Sequence, residues 1–170
     1  LHSNDEKQKE EFVKDISAAY PEKKIINCSS AQEAVVNADI IATATPSKEA
    51  IIMHEWLKPG VHINAFGCDT EGKQELDPKI FTQAKVFVDS LEECVKRGES
   101  QHALKQGLIQ IDDLAGEIGE ISLGKKSGRD DERQITVFDA VGLSIQDITA
   151  AVKIWHRAEE INAGVSVPIS

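Results

Sequence analysis

Asp69 occupies an unusual place for an acid. It follows the apolar run VHINAFG (residues 61–67) by two positions, with Gly72-Lys73 close behind. A carboxylate at the exit of a buried strand can act as a general base where a substrate proton comes within reach. The segment CDTEG equally suits a turn, in which Asp69 would serve only its own backbone. Polar or small residues end other apolar runs too. Thr43, Thr45 and Pro46-Ser47 close DIIATAT, Gly142 closes ITVFDAV, and Ser3-Asn4 follows the opening Leu1-His2. Small residues along one rim let a flat ligand approach the backbone. Thr43 and Thr45 can also be plain strand threonines, and Lys73 a plain surface lysine.

Other chemistries find less support. The five histidines, His2, His54, His62, His102 and His156, form no pair at metal-ligand spacing, so no metal is expected. Cys68 beside Asp69 reads as a small packing residue, since neither serine nor cysteine stands in a nucleophile elbow. No glycine-rich phosphate loop of the form GxGxxG or GxxxxGK[ST] occurs. For a sheet that holds a dinucleotide, that is the main objection.

The elements that must position these residues alternate. Helical spacing covers residues 5 to 20, with Ser3 or Asn4 as cap and Phe12, Ile16, Ala19 and Tyr20 recurring on one side. KKIINC reads as a short strand and SSAQEAVVNA as a helix with a serine cap. HEWLKPG is a single helical turn. Asp77-Pro78 opens a helix, LEECVKRG and SQHALKQG are helical pieces stopped by glycine, and residues 111–124 read as one helix. The longest helix runs from Ser144 to Ile161, with Ile145, Ile148, Ala151, Val152 and Trp155 as its apolar stripe. DIIATAT, VHINAFG, KVFVDS and ITVFDAV are near-continuous apolar runs, as expected of strands covered on both faces. The prediction is a Rossmann-like, doubly wound α/β domain with a mainly parallel sheet and helices on both faces. Ligands of such sheets bind at the carboxyl ends of the strands.

The chain of 170 residues, 41% hydrophobic, suffices for one well-buried domain. Its formal net charge of -10 argues against a nucleic-acid partner. No apolar run approaches the length of a membrane span. Three widely spaced cysteines, Cys28, Cys68 and Cys94, fit reduced thiols in a cytoplasmic protein. The opening LHSN reads as the end of a strand that begins upstream, so the chain is expected to be part of a longer protein.

The blocks ADIIATATPS (38–47), LKPGVHINAFGCDTEGKQELDP (57–78) and GEIGEISLGKKSGRDDERQITVFDAVGLSIQD (116–147), in this order, resemble the ornithine cyclodeaminase/mu-crystallin family, which includes archaeal-type alanine dehydrogenases. The resemblance spans about residues 1 to 165. It implies a Rossmann domain for NAD or NADP over residues 1–143, whose first strand and glycine loop lie upstream. Residues 144–170 then lead back to a substrate and dimerisation domain, with VSVPIS as its next strand. Homodimers are implied, as is a small amino-acid substrate.

By resemblance, Asp69 matches the family's acid/base aspartate and Lys73 a lysine near the cofactor. Thr43, Thr45 and Pro46 match the loop past the adenosine side. Gly67 matches a glycine beside the nicotinamide, and Val141 and Gly142 the segment against its other side. Three departures stand out. Glu71 replaces a common proline, Ala140 a frequent serine, and Ser3 the acid that favours NAD over NADP. The implied chemistry is hydride transfer from an amino-acid Cα, with Asp69 as base in apolar surroundings that raise its pKa toward neutrality. Ornithine cyclodeaminase is the preferred outcome, and alanine dehydrogenase or ketimine reductase the alternative. A non-catalytic, mu-crystallin-like NADP-binding protein is the reading from another class.

Overall fold

The strands form where β-branched and small apolar residues run together, and polar turns end them. The computed structural model describes residues 1–165 and 167. Five parallel strands make the main sheet: β1 (Ile40–Thr43), β3 (His62–Ala65), β5 (Ala84–Val88), β6 (Gly116–Glu117) and β7 (Ile135–Asp139), in the order β1-β3-β7-β5-β6. The remaining strands, β2 (Lys48–Ile52) and β4 (Gln74–Leu76), pair with each other in parallel. The helices are α1 (Glu6–Ala19), α2 (Ala31–Val35), α3 (Leu91–Arg97), α4 (Ser100–Lys105), α5 (Ile118–Ser122) and α6 (Ser144–Glu160). This is the expected Rossmann-like α/β architecture.

The core gathers Ile41, Ile63, Val137 and Val86 from the main sheet with Ile52 and Leu76 from the small one. A fully buried aliphatic side chain of this kind stabilises by about 1.5–3 kcal/mol. Coverage of the sheet is uneven. β1 alternates exposed and buried positions, with Ile40 at 68% exposure, and β3 alternates half-buried and buried. His62, Asn64 and Thr136 are joined by hydrogen bonds through the His62 ring, so one face of β3 and β7 mixes these polar groups with the packed rings of Phe66 and Phe138. The expected burial on both faces holds for β7 and for the end of β5, whereas β1 and β3 alternate and are covered on one face.

Several local expectations are corrected. α1 is capped by Asp5, which accepts from Gln8 N at 3.0 Å, while Ser3 accepts from Asp5 N. Its Phe12 and the following Tyr20 are exposed, as are Ile145, Ile148, Val152 and Trp155 of α6. KKIINC forms no assigned strand, although Leu1 N donates to Ile26 O and Cys28 N to Leu1 O, the pattern of a parallel pair. The helix expected over 111–124 is a 3₁₀ turn at Ile111–Asp113, then β6, then α5, because Gly116 takes a φ of +134° that no helix admits. Pro78–Thr82 is a 3₁₀ turn capped by Asp77. The expected strand VSVPIS lies largely outside the described residues. No described helix is long and apolar enough to cross a membrane.

Candidate active site

The strand exits leave the sheet at one level. Phe66 N donates to Thr43 O, Ala140 N to Ala65 O, and Asp89 N to Asp139 O, which continues the ladder one residue past β3, β7 and β5. β3 lies between β1 and β7, so the segments holding Thr43, Asp69 and Gly142 leave from three neighbouring strands.

Asp69 opens into the loop after β3. Its side chain is 50% exposed and accepts from Lys73 Nζ at 2.6 Å and from Thr70 Oγ1 at 3.0 Å. The Lys73 ammonium, aided by Thr70, holds the Asp69 carboxyl below the usual carboxylate range. The expectation of apolar surroundings and a raised pKa is overturned, because the loop brings a cation onto the acid instead of burying it. α3 and α4 clamp the loop itself. Arg97 Nη1 donates to Asp69 O at 3.1 Å, Gly72 N to Gln101 Oε1 at 3.1 Å, and His102 Nε2 lies 2.5 Å from Lys73 O. Cys68 is fully buried, its Sγ 2.9 Å from Lys73 O, and burial pushes its thiol up. It is a packing residue, as its context in the sequence indicated.

Beneath the rim stand four buried acids that the sequence reading passed over. Glu75 accepts from Thr45 N at 2.6 Å and from Gly67 N at 2.9 Å. Glu99 accepts from Glu75 N at 2.6 Å and Leu76 N at 3.1 Å. Asp139 accepts from Glu99 N, Ser100 N and Ser100 Oγ at 2.6–3.0 Å. Asp89 accepts from Ser90 N at 2.8 Å, Val141 N at 3.1 Å, Gly142 N at 2.8 Å and the Cys94 thiol at 3.2 Å. None is more than 6% exposed, and no described lysine or arginine bonds any of them. Burial pushes Glu99 up to about 8 against the pull of its two amides, with Asp139 and Glu75 adding to the rise. Burial likewise pushes Asp139 up to about 6. The signal was available: Asp89 and Asp139 end apolar strands, as Asp69 nearly does.

The other expected residues are placed as follows. Gly67 is buried, and a Cβ there would meet the Glu75 carboxylate and Thr45 O at 2.5 Å. Packing from beneath thus requires glycine at this position. Gly142 differs: its φ is +80° and no atom lies within 4 Å of a built Cβ, so the space beside it is open. Thr43 is 5% exposed, and its Oγ1 has no hydrogen-bond partner among the described residues. Thr45 Oγ1 accepts from Ser47 N, Pro46 is exposed, and Val141 is buried. Ser3 Oγ accepts from Asp5 N at 3.2 Å, two residues past the Leu1–Cys28 pairing. His54, Glu55 and Asp77 also come together, with Asp77 Oδ2 2.7 Å from His54 Nδ1, a trio invisible to histidine spacing.

The description "Ornithine cyclodeaminase/mu-crystallin family" matches residues 1–162. The chain belongs to this family. An alanine dehydrogenase of Archaeoglobus fulgidus is 38% identical over 163 residues, which are 95% of this chain and 49% of that protein. An archaeal alanine dehydrogenase dimer with bound NAD superposes with a TM-score of 0.82 at 36% identity, covering 95% of this chain and 50% of that one. The Thermococcus litoralis Δ1-pyrroline-2-carboxylate reductase, solved with NADH and L-proline, superposes with a TM-score of 0.90 at 31% identity, covering 96% and 51%. The chain thus spans about half the length of the relatives it matches.

Proposed function

We propose that the chain is the dinucleotide-binding part of an NAD(P)-dependent oxidoreductase that interconverts a small amino acid and its imine. What supports this most is the set of level exits from β1, β3 and β7, with the Asp69–Lys73 pair on the middle one. Such a rim is where ligands of open α/β sheets bind. The residues fit a dinucleotide: the orphaned hydroxyl of Thr43 lacks a partner, and Gly142 leaves room for a ring. Thr43, Thr45 and Pro46 would hold the adenosine side, Gly67, Val141 and Gly142 the nicotinamide side, and Ser3 the ribose.

Acceptance of hydride from the substrate carbon, or its return, is the chemistry that a bound nicotinamide would supply. The chain's own part is the proton. Lys73 keeps Asp69 ionised, the form a base requires, at some loss of basicity. As water leaves on substrate binding, or as Lys73 turns to an anionic group, Asp69 gains basicity and accepts the proton that the substrate ammonium gives up before hydride leaves its carbon. Arg97, Gln101 and His102 keep the loop in register for that transfer.

The relatives named above act as a dehydrogenase or a reductase, which supports net redox chemistry over the ornithine cyclodeaminase outcome. The protein is taken to work as a homodimer, like the archaeal dehydrogenase, with residues 144–170 leading to the dimerisation part. Three free cysteines suit a reducing cytoplasm. The test is Asp69→Asn in the intact protein, with alanine, ornithine and cyclic imines offered with NAD(H) or NADP(H). Turnover should fall by about 10²–10⁴ while cofactor binding persists. Near-normal turnover would remove Asp69 from the mechanism, and proline formed from ornithine without net reduction would restore the cyclodeaminase outcome.

A further inference from the structure

The β7–α6 turn is held from below by one residue. Asp89 directly follows β5, the strand beside β7, and its Oδ2 receives both Val141 N and Gly142 N. Its Oδ1 receives Ser90 N and the Cys94 thiol, so the carboxylate is saturated and cannot turn. The peptide between Val141 and Gly142 is trans. An N–H drawn inward to Asp89 therefore turns the Val141 carbonyl the opposite way, off the buried acid. No described donor reaches that carbonyl. Gly142 then leaves at a φ of +80° beside open space.

We infer that Asp89 is a positioning residue that presents the Val141 carbonyl as acceptor for a primary carboxamide, the one on a nicotinamide ring. The inference rests on the cofactor reading above. An acceptor fixed from behind costs little to order on binding, and it selects which face of the ring turns to the substrate. Asp89 touches neither substrate nor cofactor. Its effect passes through one peptide plane.

ADP-ribose separates this role from a merely structural one, because it keeps the phosphates and adenosine but lacks the ring. The experiment measures NADH and ADP-ribose affinity in the intact protein, wild type against Asp89→Asn. Either orientation of the new amide sets its NH₂ against N–H or S–H donors, so the turn loses its register. NADH affinity should fall about tenfold with ADP-ribose affinity unchanged. Equal loss of both ligands, or loss of neither, overturns the proposal. Asp89→Ser removes the acid without adding an opposing N–H and is the second variant. Failure of both variants to fold would make Asp89 scaffold only and overturn the proposal as well. A wild-type protein that binds neither ligand overturns the cofactor reading itself, and this inference with it.

Discussion

The Glu75 carboxylate lies directly beneath Gly67, its Oε2 2.9 Å from the Gly67 nitrogen and in the place a side chain on Gly67 would need. Gly67→Ala forces a Cβ into that carboxylate and into Thr45 O. Overpacking of this kind costs about 1–3 kcal/mol. Thermal unfolding should show a fall of about 2–4 °C per kcal/mol for a chain of this size. An unchanged melting temperature would show that the two exits move apart freely.

Removing the partner of Asp69 should restore its basicity. In Lys73→Met the carboxyl, freed of the ammonium, rises toward the ordinary range from its depressed value. A base must be ionised to work, so activity disappears as pH falls through its pKa. The acidic limb of kcat/KM should therefore move to higher pH in the variant. A limb that stays in place would assign the base to another group.

Thr43→Val keeps the shape and deletes a hydroxyl that has no partner among the described residues. An unsatisfied buried hydroxyl costs about 1–3 kcal/mol. The free protein should melt higher and bind dinucleotide more weakly, the hydroxyl being needed only in the complex. Weaker binding with lower stability would mean that the hydroxyl has a structural partner, such as water.

Glu99 makes stability depend on pH. Its pKa, pushed up to about 8 in the fold, exceeds the unfolded value of about 4.3. Between these values the folded state holds the proton that the unfolded chain has released, so stability falls as pH rises. The decline should end near pH 8, and that of Asp139 near pH 6. Glu99→Gln, though less stable at low pH through its mismatched amide, should lose the part of the slope between the two. Melting curves across this range decide it, and identical slopes would count against a neutral Glu99.

The five strands of the main sheet were unequally legible. Apolar runs announced β1, β3, β5 and β7, whereas β6 has only two residues and lay hidden in a helical-looking segment. β2 and β4 were missed, since KEAII opens on two charged residues and QEL is three residues long with one apolar side chain. The exit residues could be found from the strand ends, and the family resemblance gave them roles. The buried acids were not found, because an isolated Glu75 or Glu99 in a polar stretch looks like surface. Their depth depends on contacts between segments far apart in the chain, such as Glu99 with Glu75 and Asp139 with Ser100. The electrostatics of Asp69 were misjudged for a local reason: Lys73, four residues on, was assigned to the cofactor when it bonds the acid itself.

The chained carboxylates beneath the strand exits separate two tasks that one surface must perform. Because Thr45, Gly67, Val141 and Gly142 are tethered through their amides, the side chains around them can be exchanged without disturbing where the main chain runs. On the cofactor reading proposed above, such tethering lets the preferred small molecule change while the grip on the coenzyme stays fixed.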